Sequence, residues 1–170
     1  EMRTPIVYLA GAIRDKHPED IDWREQVMQE LQEEADFLNP VGGKTHNVAT
    51  GEWWMSGIPS IANTIVKHDA WCVDRADIVL ANMSSLAEGY PSIGTLIELG
   101  RAWGRGKLIY LIVPTVFRGH ENMAMYKLHP FLQEISAARF ETVDAAVKFL
   151  GRHLYVLSGA DSGYDGTVGE

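Results

Sequence analysis

The fold is decided by the stretch Arg75-Ala76-Asp77-Ile78-Val79-Leu80-Ala81-Asn82, which is followed by Ser92-Ile93-Gly94-Thr95-Leu96-Ile97-Glu98-Leu99-Gly100. The first stretch has the apolar run of a buried strand, and the second is a short polar loop that runs into a helix. In an open α/β sheet, ligands bind at the carboxyl ends of the strands, beside the N-termini of the helices that follow. The order of strand, loop, helix start and acid therefore places Glu98 where chemistry would occur.

The same residues also fit a purely structural motif, the capping box. In this motif a threonine at the N-cap and a glutamate three residues later satisfy each other's unpaired backbone N–H groups. Thr95 and Glu98 have this spacing. The capping box and the reactive acid are therefore alternative interpretations of Glu98.

Composition and charge limit the classes of partner. The chain has 170 residues, 46% hydrophobic and 22% charged, which suits one domain with a full core. Its net charge of −8 and the lack of a Lys/Arg run argue against a nucleic-acid polymer, whereas a small anion in a local pocket is still compatible. The single cysteine, Cys72, excludes an internal disulfide, fits a reducing compartment and lies in an apolar stretch typical of the core. With no long apolar segment and no signal peptide, we expect a cytoplasmic protein without membrane contact.

Apolar runs that alternate with helical patterns predict the fold class. Strands are predicted at residues 6–10, 37–38, 78–81 and 108–113, with a short fifth strand at Phe140. Helices are predicted at residues 22–34, 58–73, 95–104 and 142–157, His129-Pro130 marks another helix start, and residues 41–54 are predicted as a long polar loop. This pattern indicates an α/β domain with a parallel sheet covered on both faces. We expect a single domain over residues 1–157 and disorder over the Gly/Ser/Asp-rich residues 158–170.

Three segments converge at the carboxyl edge of the predicted sheet. The first strand ends in Gly11-Ala12-Ile13-Arg14, where the glycine permits close backbone approach and the arginine can clamp an anion. Asp69 lies on the helix before the third strand, and residues 92–98 form the third segment. Each also has a simpler explanation: Gly11 forms a turn, Arg14 is solvated, and Asp69 lies on an exposed helix face.

Three motifs occur in order along the chain: Tyr8-Leu9-Ala10-Gly11, then Asp69 eight residues before Asp77, then Gly94 followed by Glu98-Leu99-Gly100. In this order and spacing they resemble the nucleoside 2-deoxyribosyltransferase family over residues 6–150. The resemblance implies a Rossmann-like (flavodoxin-like) three-layer sandwich with a five-stranded parallel sheet. It also implies a homo-oligomer, a dimer or larger, whose active sites are completed by a neighbouring subunit. Asn122, or Met123 in an alternative alignment, is the candidate for that contact.

Two positions separate the branches of that family. In members that act on free nucleosides, the residue six positions before the catalytic glutamate is typically an aspartate that grips the sugar 5′-hydroxyl, whereas here it is Ser92. The branch that hydrolyses nucleoside 5′-monophosphates typically has serine there, and a Gly-x-Ile-Arg turn like Gly11-Ala12-Ile13-Arg14. A carboxylate would repel a phosphate, whereas a hydroxyl, the N–H groups of Ile93 and Gly94, and Arg14 would hold it. We therefore expect a nucleotide substrate.

The resemblance implies cleavage of an N-glycosidic bond through a covalent intermediate. Glu98 attacks C1′ of the sugar on the face opposite the base, as in a retaining glycosidase, and the helix N-terminus helps to keep it ionised. Asp69 helps to protonate the departing base and then directs the incoming water. Tyr8 positions Glu98 or the sugar through its hydroxyl, unless it is a plain core aromatic. The resemblance places the base contacts in residues 39–46, beginning with Asn39. The sequence does not determine which base is released or whether the sugar is ribose or deoxyribose.

Other functions stay open on the sequence. Base exchange differs from hydrolysis only in whether a second base or water captures the glycosyl-enzyme. A nucleotide-binding module without catalysis would keep Arg14 and Ser92 and would not need Glu98 and Asp69 together. A flavodoxin-like protein would need a hydroxyl- and glycine-rich phosphate loop after the first strand, which this sequence lacks. The six histidines show no ligand spacing, so we expect neither a metal nor another cofactor.

Overall fold

The structure is a computed structural model that describes residues 3–14, 17–42, 44–47, 52–55, 58–60, 62–114 and 128–157. For residues 45–47, 52–55, 58–60 and 62–63 it describes the backbone alone. The tail at residues 158–170, Asn122 and Met123 lie outside the described residues, so what the sequence predicts for them stays a prediction. None of the described helices is long and apolar enough to cross a membrane.

Eight strands and six helices make up the described chain. In chain order they are β1 (Ile6–Gly11), α1 (Glu19–Glu30), β2 (Asp36–Leu38), β3 (Lys44–Asn47), β4 (Glu52–Met55), β5 (Ile58–Ser60), α2 (Ala62–Arg75), β6 (Ile78–Asn82), α3 (Ser84–Ala87), α4 (Ile93–Gly104), β7 (Leu108–Ile112), α5 (Pro130–Ile135), β8 (Ala138–Phe140) and α6 (Val143–Leu157).

Five parallel strands form the main sheet, in the order β2-β1-β6-β7-β8. Tyr8 of β1 lies between Leu38 of β2 and Val79 of β6. The α/β class and the five-stranded parallel sheet predicted from the sequence are therefore confirmed. The chain leaves β1 on one side to form β2 and returns on the other side to form β6. The strand order thus reverses between β1 and β6, which is where ligands bind in such sheets.

Helices cover both faces of this sheet, and the strands are apolar for that reason. Side chains along β1 alternate between the two faces: Val7 and Leu9 pack in the layer of α1 and α6, and Tyr8 and Ala10 pack in the layer of α2 and α4. Cys72 is buried in the second layer, as its apolar context predicts. The alternation along β1 also directs Tyr8, and with it the site described below, to the side of α2 and α4.

Two predictions between β2 and α2 are wrong. Residues 41–54 contain the strands β3 and β4 rather than a continuous loop, and residues 58–60 form β5 rather than the first turn of a helix. These strands form a small antiparallel sheet in the order β3-β4-β5. Aromatic side chains favour strands, and Pro59, which lacks an N–H, is tolerated because β5 is an edge strand. The helix that carries Asp69 consequently starts at Ala62.

The pair His129-Pro130 begins a helix, as predicted. Pro130 is the first residue of α5, and Nδ1 of His129 accepts a hydrogen bond from the N–H of Phe131 at 3.3 Å. Proline suits the first helical position because the N–H that it lacks would have no partner within the helix.

Candidate active site

A pocket of about 270 Å³ opens at the carboxyl end of β1, between α2 and the start of α4. It brings together residues that the sequence predicts for the site, namely Gly11, Ile13, Asp69, Ser92, Gly94 and Glu98. The other described lining residues are Pro40, Lys44, Ile65 and Thr95. The pocket therefore combines the ends of two sheet strands with two helices, at the point where the strand order reverses.

The side chain of Glu98 is held in place by Tyr8. The hydroxyl of Tyr8 donates a hydrogen bond to Oε1 of Glu98 at 2.8 Å. Tyr8 is completely buried in β1, and burial, followed by the negative charge of Glu98, raises its pKa well above the usual range. Tyr8 therefore stays protonated and can act on Glu98 only as a donor. Its ring belongs to the core, and its hydroxyl contacts the candidate nucleophile.

The capping box, the structural alternative for Thr95 and Glu98, does not form. Helix α4 begins at Ile93, with Ser92 at the N-cap, so Glu98 lies in the second turn. Thr95 is buried, and its Oγ1 is 2.8 Å from Oγ of Ser92. The Glu98 carboxylate turns toward Tyr8 instead of returning to the helix start, because a buried tyrosine hydroxyl offers it a donor in the core.

The expectation that the helix N-terminus helps to keep Glu98 ionised stays a prediction, and the burial of this side chain opposes it. Burial raises the pKa of Glu98 to about 7. The hydrogen bond from Tyr8 lowers this pKa, the charge of Asp69 raises it, and the cations Lys44 and Arg24 lower it. The helix dipole acts mainly on the first turn, and Glu98 lies beyond it. Near neutral pH, the pocket therefore holds this carboxyl in both protonation states.

Asp69 is paired with Lys44, a residue that the sequence did not single out. Nζ of Lys44 lies 2.6 and 2.8 Å from the two carboxylate oxygens of Asp69. The side chain of Lys44 is only 3% exposed and that of Asp69 is 15% exposed. Asp69 is thus not the solvated helix residue of the simpler interpretation. Lys44 escaped prediction because residues 41–54 resemble a polar loop, in which a lysine is normally solvated.

A second cation, Arg24 of α1, lies under the loop after β1. It is completely buried and donates to the main-chain oxygens of Leu9 at 3.1 Å and Gly11 at 2.8 Å, and also to that of Asp20. A Cβ on Gly11 would lie 3.2 Å from the guanidinium of Arg24 and from the main-chain oxygen of Asn82, so glycine suits this close approach. The sequence offers one signal for it: a charged residue directly after Trp23, which lies on the apolar stripe of its helix.

Arg14, the predicted anion clamp, lies on the other side of this loop. Its guanidinium is 2.8 Å from Asp20 and 2.6 Å from Glu88, and it stacks 5.6 Å from the ring centroid of Tyr90. Arg14, Asp20 and Glu88 line a separate cavity of about 310 Å³ that Ala12 also lines. Successive loop residues thus point to opposite sides: Gly11 and Ile13 line the Glu98 pocket, whereas Ala12 and Arg14 line the other cavity. A role for Arg14 in phosphate binding stays a prediction.

Asn39 has a local structural role in the turn after β2. Its Oδ1 accepts a hydrogen bond from the N–H of Val41 at 3.0 Å, and its neighbour Pro40 is the residue of this turn that lines the pocket. A role for Asn39 in binding the base stays a prediction.

One group of described side chains has the spacing of metal ligands: His17, Glu19 and Glu88, whose ligand atoms lie within 4.8 Å of one another. Nδ1 of His17 is 2.6 Å from Oε1 of Glu19, and Arg14 supplies positive charge beside both glutamates. The cluster borders the Arg14 cavity rather than the Glu98 pocket, so it takes no part in the site around Glu98.

Comparison with known proteins places the site in a family context. The family model for nucleoside 2-deoxyribosyltransferase matches residues 7–149 of the chain. The comparison with curated proteins gave no match.

Several solved structures share the fold at low sequence identity. A conserved protein from Enterococcus faecalis V583 aligns with a TM-score of 0.67 and 12% identity, over 89% of this chain and 99% of that one. A 2-deoxyribosyltransferase from Bacillus psychrosaccharolyticus gives a TM-score of 0.62 and 19% identity, over 88% and 95%. A CMP N-glycosidase from Clostridium botulinum gives 0.53 and 19%, over 87% and 98%. At these identities the likeness concerns the fold.

Proposed function

Because this chain belongs to the nucleoside 2-deoxyribosyltransferase family, we propose that it hydrolyses the N-glycosidic bond of a nucleoside or 2′-deoxynucleoside 5′-monophosphate. The observation that carries the proposal is the half-buried Glu98, with one carboxylate oxygen bonded to Tyr8 and with the Asp69–Lys44 pair on the same pocket. The products are the free base and the sugar 5-phosphate.

The first half of the reaction forms a glycosyl-enzyme. Oε2 of the ionised Glu98 attacks C1′ of the sugar on the face opposite the base. The C1′–N bond breaks through an oxocarbenium-like transition state, and its electron pair leaves with the base. The Tyr8 hydroxyl supports this step by fixing Oε1, so that the other oxygen is presented to the sugar.

The second half of the reaction regenerates Glu98. Water attacks C1′, the ester bond to Glu98 breaks, and the carboxylate returns to its starting state. Asp69 lines the same pocket and is the group that directs this water and assists protonation of the base. Glu98 and then water attack C1′ from opposite faces, so the configuration at C1′ is retained.

The phosphate is proposed to bind at the start of α4. The Ser92 side chain makes no capping hydrogen bond to this helix, so the first-turn N–H groups are available to an anion. Ser92 and Gly94 line the pocket beside these groups, and an uncharged serine does not repel a phosphate. Arg14 is engaged by Asp20 and Glu88, so we propose that it fixes the loop after β1 in place of the phosphate-binding role expected from the sequence.

A homo-oligomer is part of the proposal. Ile93, Ile97 and Trp103 of α4 are 69%, 64% and 55% exposed, beside the pocket-lining start of the same helix. Large apolar side chains exposed along one helix favour burial against another chain. A neighbouring subunit on this helix would lie close enough to complete the pocket, which size-exclusion chromatography with light scattering can test.

The test is release of free base from a panel of ribo- and deoxynucleoside 5′-monophosphates, with the matching nucleosides alongside and Glu98→Ala as control. Release from monophosphates only, lost in the variant, supports the proposal and identifies the base. Release or base exchange with unphosphorylated nucleosides overturns the nucleotide assignment in favour of deoxyribosyl transfer. Binding of monophosphates without release from any of them identifies a nucleotide-binding module and overturns the catalytic role of Glu98.

A further inference from the structure

The pocket contains one cationic donor that the reaction outlined above does not use, the ammonium group of Lys44. Of the described residues that line the pocket, Lys44 alone carries an ionised N–H donor. Its side chain is 3% exposed, so the charge is withdrawn from solvent and directed to the pocket wall. A buried lysine requires a partner, and Asp69 supplies it with both carboxylate oxygens at 2.6 and 2.8 Å.

This pairing changes what Asp69 can do. Both oxygens of Asp69 accept hydrogen bonds from the ammonium group of Lys44, so this carboxylate is engaged as an acceptor. Lys44 has three N–H groups, and its two contacts with Asp69 leave one for a ligand. The hydrogen-bond donor on this wall of the pocket is therefore Lys44.

The other nitrogen donors near the pocket are committed elsewhere. Arg24 is bonded to main-chain oxygens beneath the loop after β1. Nδ1 of His68 is 3.1 Å from Oδ1 of Asp69, on the helix that carries Asp69, and His68 is not part of the described lining. Arg14 faces the separate cavity. Among the described residues, only Lys44 combines a place in the lining with an unused cationic side-chain N–H.

We propose that Lys44 is the acid that neutralises the departing base, and that Asp69 acts through it as a positioning residue. The inference rests on the proposed function. As the C1′–N bond breaks, the base takes the electron pair and accepts a proton from Nζ of Lys44, which becomes a neutral amine. In the second half, water attacks C1′ of the glycosyl-enzyme and gives its proton to this amine. Lys44 thus returns to the ammonium form, and no further reactant is required.

The inference predicts that Lys44 matters most when the base is a poor leaving group. The variant Lys44→Met keeps the length of the side chain and removes its charge and its proton. Lys67→Met, on the exposed surface of α2, removes one lysine charge from the helix of Asp69 without touching the pocket lining and serves as the matched control. Each protein is assayed with the natural monophosphate and with an analogue of it whose base leaves more easily. For a pyrimidine this is the 5-fluoro derivative, and for a purine the 7-methyl derivative, which leaves as a neutral molecule.

We expect Lys44→Met to lower kcat for the natural substrate roughly 100-fold or more, the usual contribution of a general acid. With the activated substrate we expect the loss to shrink to less than about 10-fold, because little charge then develops on the base. Lys67→Met should match the wild-type protein on both. Each comparison of two substrates is made within one protein, so the fraction that is folded cancels. Lys44→Met/Asp69→Asn removes the unpaired carboxylate and should show the same dependence on the leaving group.

Equal losses on the two substrates, or no loss at all, overturn the role of Lys44 and leave Glu98 as the proposed nucleophile. A wild-type protein that releases no base from any substrate overturns the proposed function, and the inference that rests on it falls as well. Failure of the Lys44 role and failure of the proposed function can be distinguished, because the former is measured by comparing variants and the latter on the wild-type protein alone.

Discussion

Two clusters of charged side chains lie at the carboxyl edge of the same sheet, on opposite sides of the loop after β1. In the Arg14 cluster, the arginine is held by Asp20 at 2.8 Å and by Glu88 at 2.6 Å. In the Glu98 pocket, the carboxylate accepts one hydrogen bond from Tyr8, and no described residue donates to its second oxygen. Paired charges hold a loop in place, whereas a half-buried carboxylate with an unused oxygen is available to react. The difference between paired and unused groups therefore separates a structural cluster from a candidate site.

The largest expected effect comes from neutralising one glutamate in each cluster. Glu98→Gln keeps an acceptor for Tyr8 and removes the nucleophile, so we expect base release to fall roughly 10⁴-fold or more. Glu88→Gln weakens one contact of Arg14 and should leave kcat within about 3-fold, because exposed ion pairs contribute little. Chromatographic measurement of free base compares the two. Similar losses in both variants would remove the distinction between the clusters.

The next effect is on stability and concerns Glu98 alone. Its pKa of about 7 in the folded protein exceeds the ordinary value of 4.5, because burial disfavours the carboxylate. Between these pH values the unfolded chain loses the proton and the folded protein keeps it, so the free energy of unfolding falls as the pH rises. Relative to Glu98→Gln, which cannot titrate, the wild-type protein should lose about 3 kcal/mol between pH 4 and pH 8.

Urea titrations of both proteins across this range measure that difference, and ionisations common to both proteins cancel. A difference that does not change with pH would show that Glu98 is not buried as described. The result is independent of any catalytic activity, so it tests the geometry of the pocket by itself.

A smaller effect is expected from the hydroxyl of Tyr8. Tyr8→Phe should lower kcat/KM roughly 10- to 100-fold, since a hydrogen bond to a charged group contributes about 1.5–3 kcal/mol. This hydrogen bond lowers the pKa of Glu98, so its loss should raise that pKa above about 7. The acid limb of the pH profile, where activity falls because Glu98 takes up a proton, should then move to higher pH. Tyr110→Phe removes a tyrosine hydroxyl from the other face of the sheet and is the matched control. An acid limb that stays in place would contradict the assignment of Tyr8.

The smallest effect on catalysis is expected in the Arg14 cluster. Arg14→Met should change the preference for monophosphates over nucleosides by less than about 3-fold, because Asp20 and Glu88 already occupy the guanidinium. It should lower the free energy of unfolding by about 3 kcal/mol, since it leaves the buried carboxylate of Asp20 unpaired. Thermal melts and steady-state assays separate the two. A 100-fold loss of monophosphate preference would instead make Arg14 the phosphate ligand predicted from the sequence.

Much of the fold was predictable because its signals are local. The apolar runs of β1, β6 and β7 and the helical stripe of α6 are visible in any short window of sequence. The family resemblance, which rests on the motifs around Tyr8, Asp69 and Glu98, is confirmed. The wrong predictions concern sequence patterns that are compatible with two different local structures. The polar sequence of residues 41–54 is typical of a loop, although the segment contains β3 and most of β4. The spacing of Thr95 and Glu98 is that of a capping box, although α4 begins at Ile93.

The sequence by itself determined the α/β class, the place of Glu98 beside a helix start and the burial of Cys72, since hydrophobic periodicity and turn residues act over a few positions. Only the tertiary structure decided which charges are paired. Tyr8 and Glu98 are 90 positions apart, Arg14 and Glu88 are 74 apart, and Lys44 and Asp69 are 25 apart. Such contacts depend on how the strands are ordered and on which side of the sheet each residue faces. For this reason the sequence alone did not show that Lys44 lines the pocket or that Arg14 lies outside its lining.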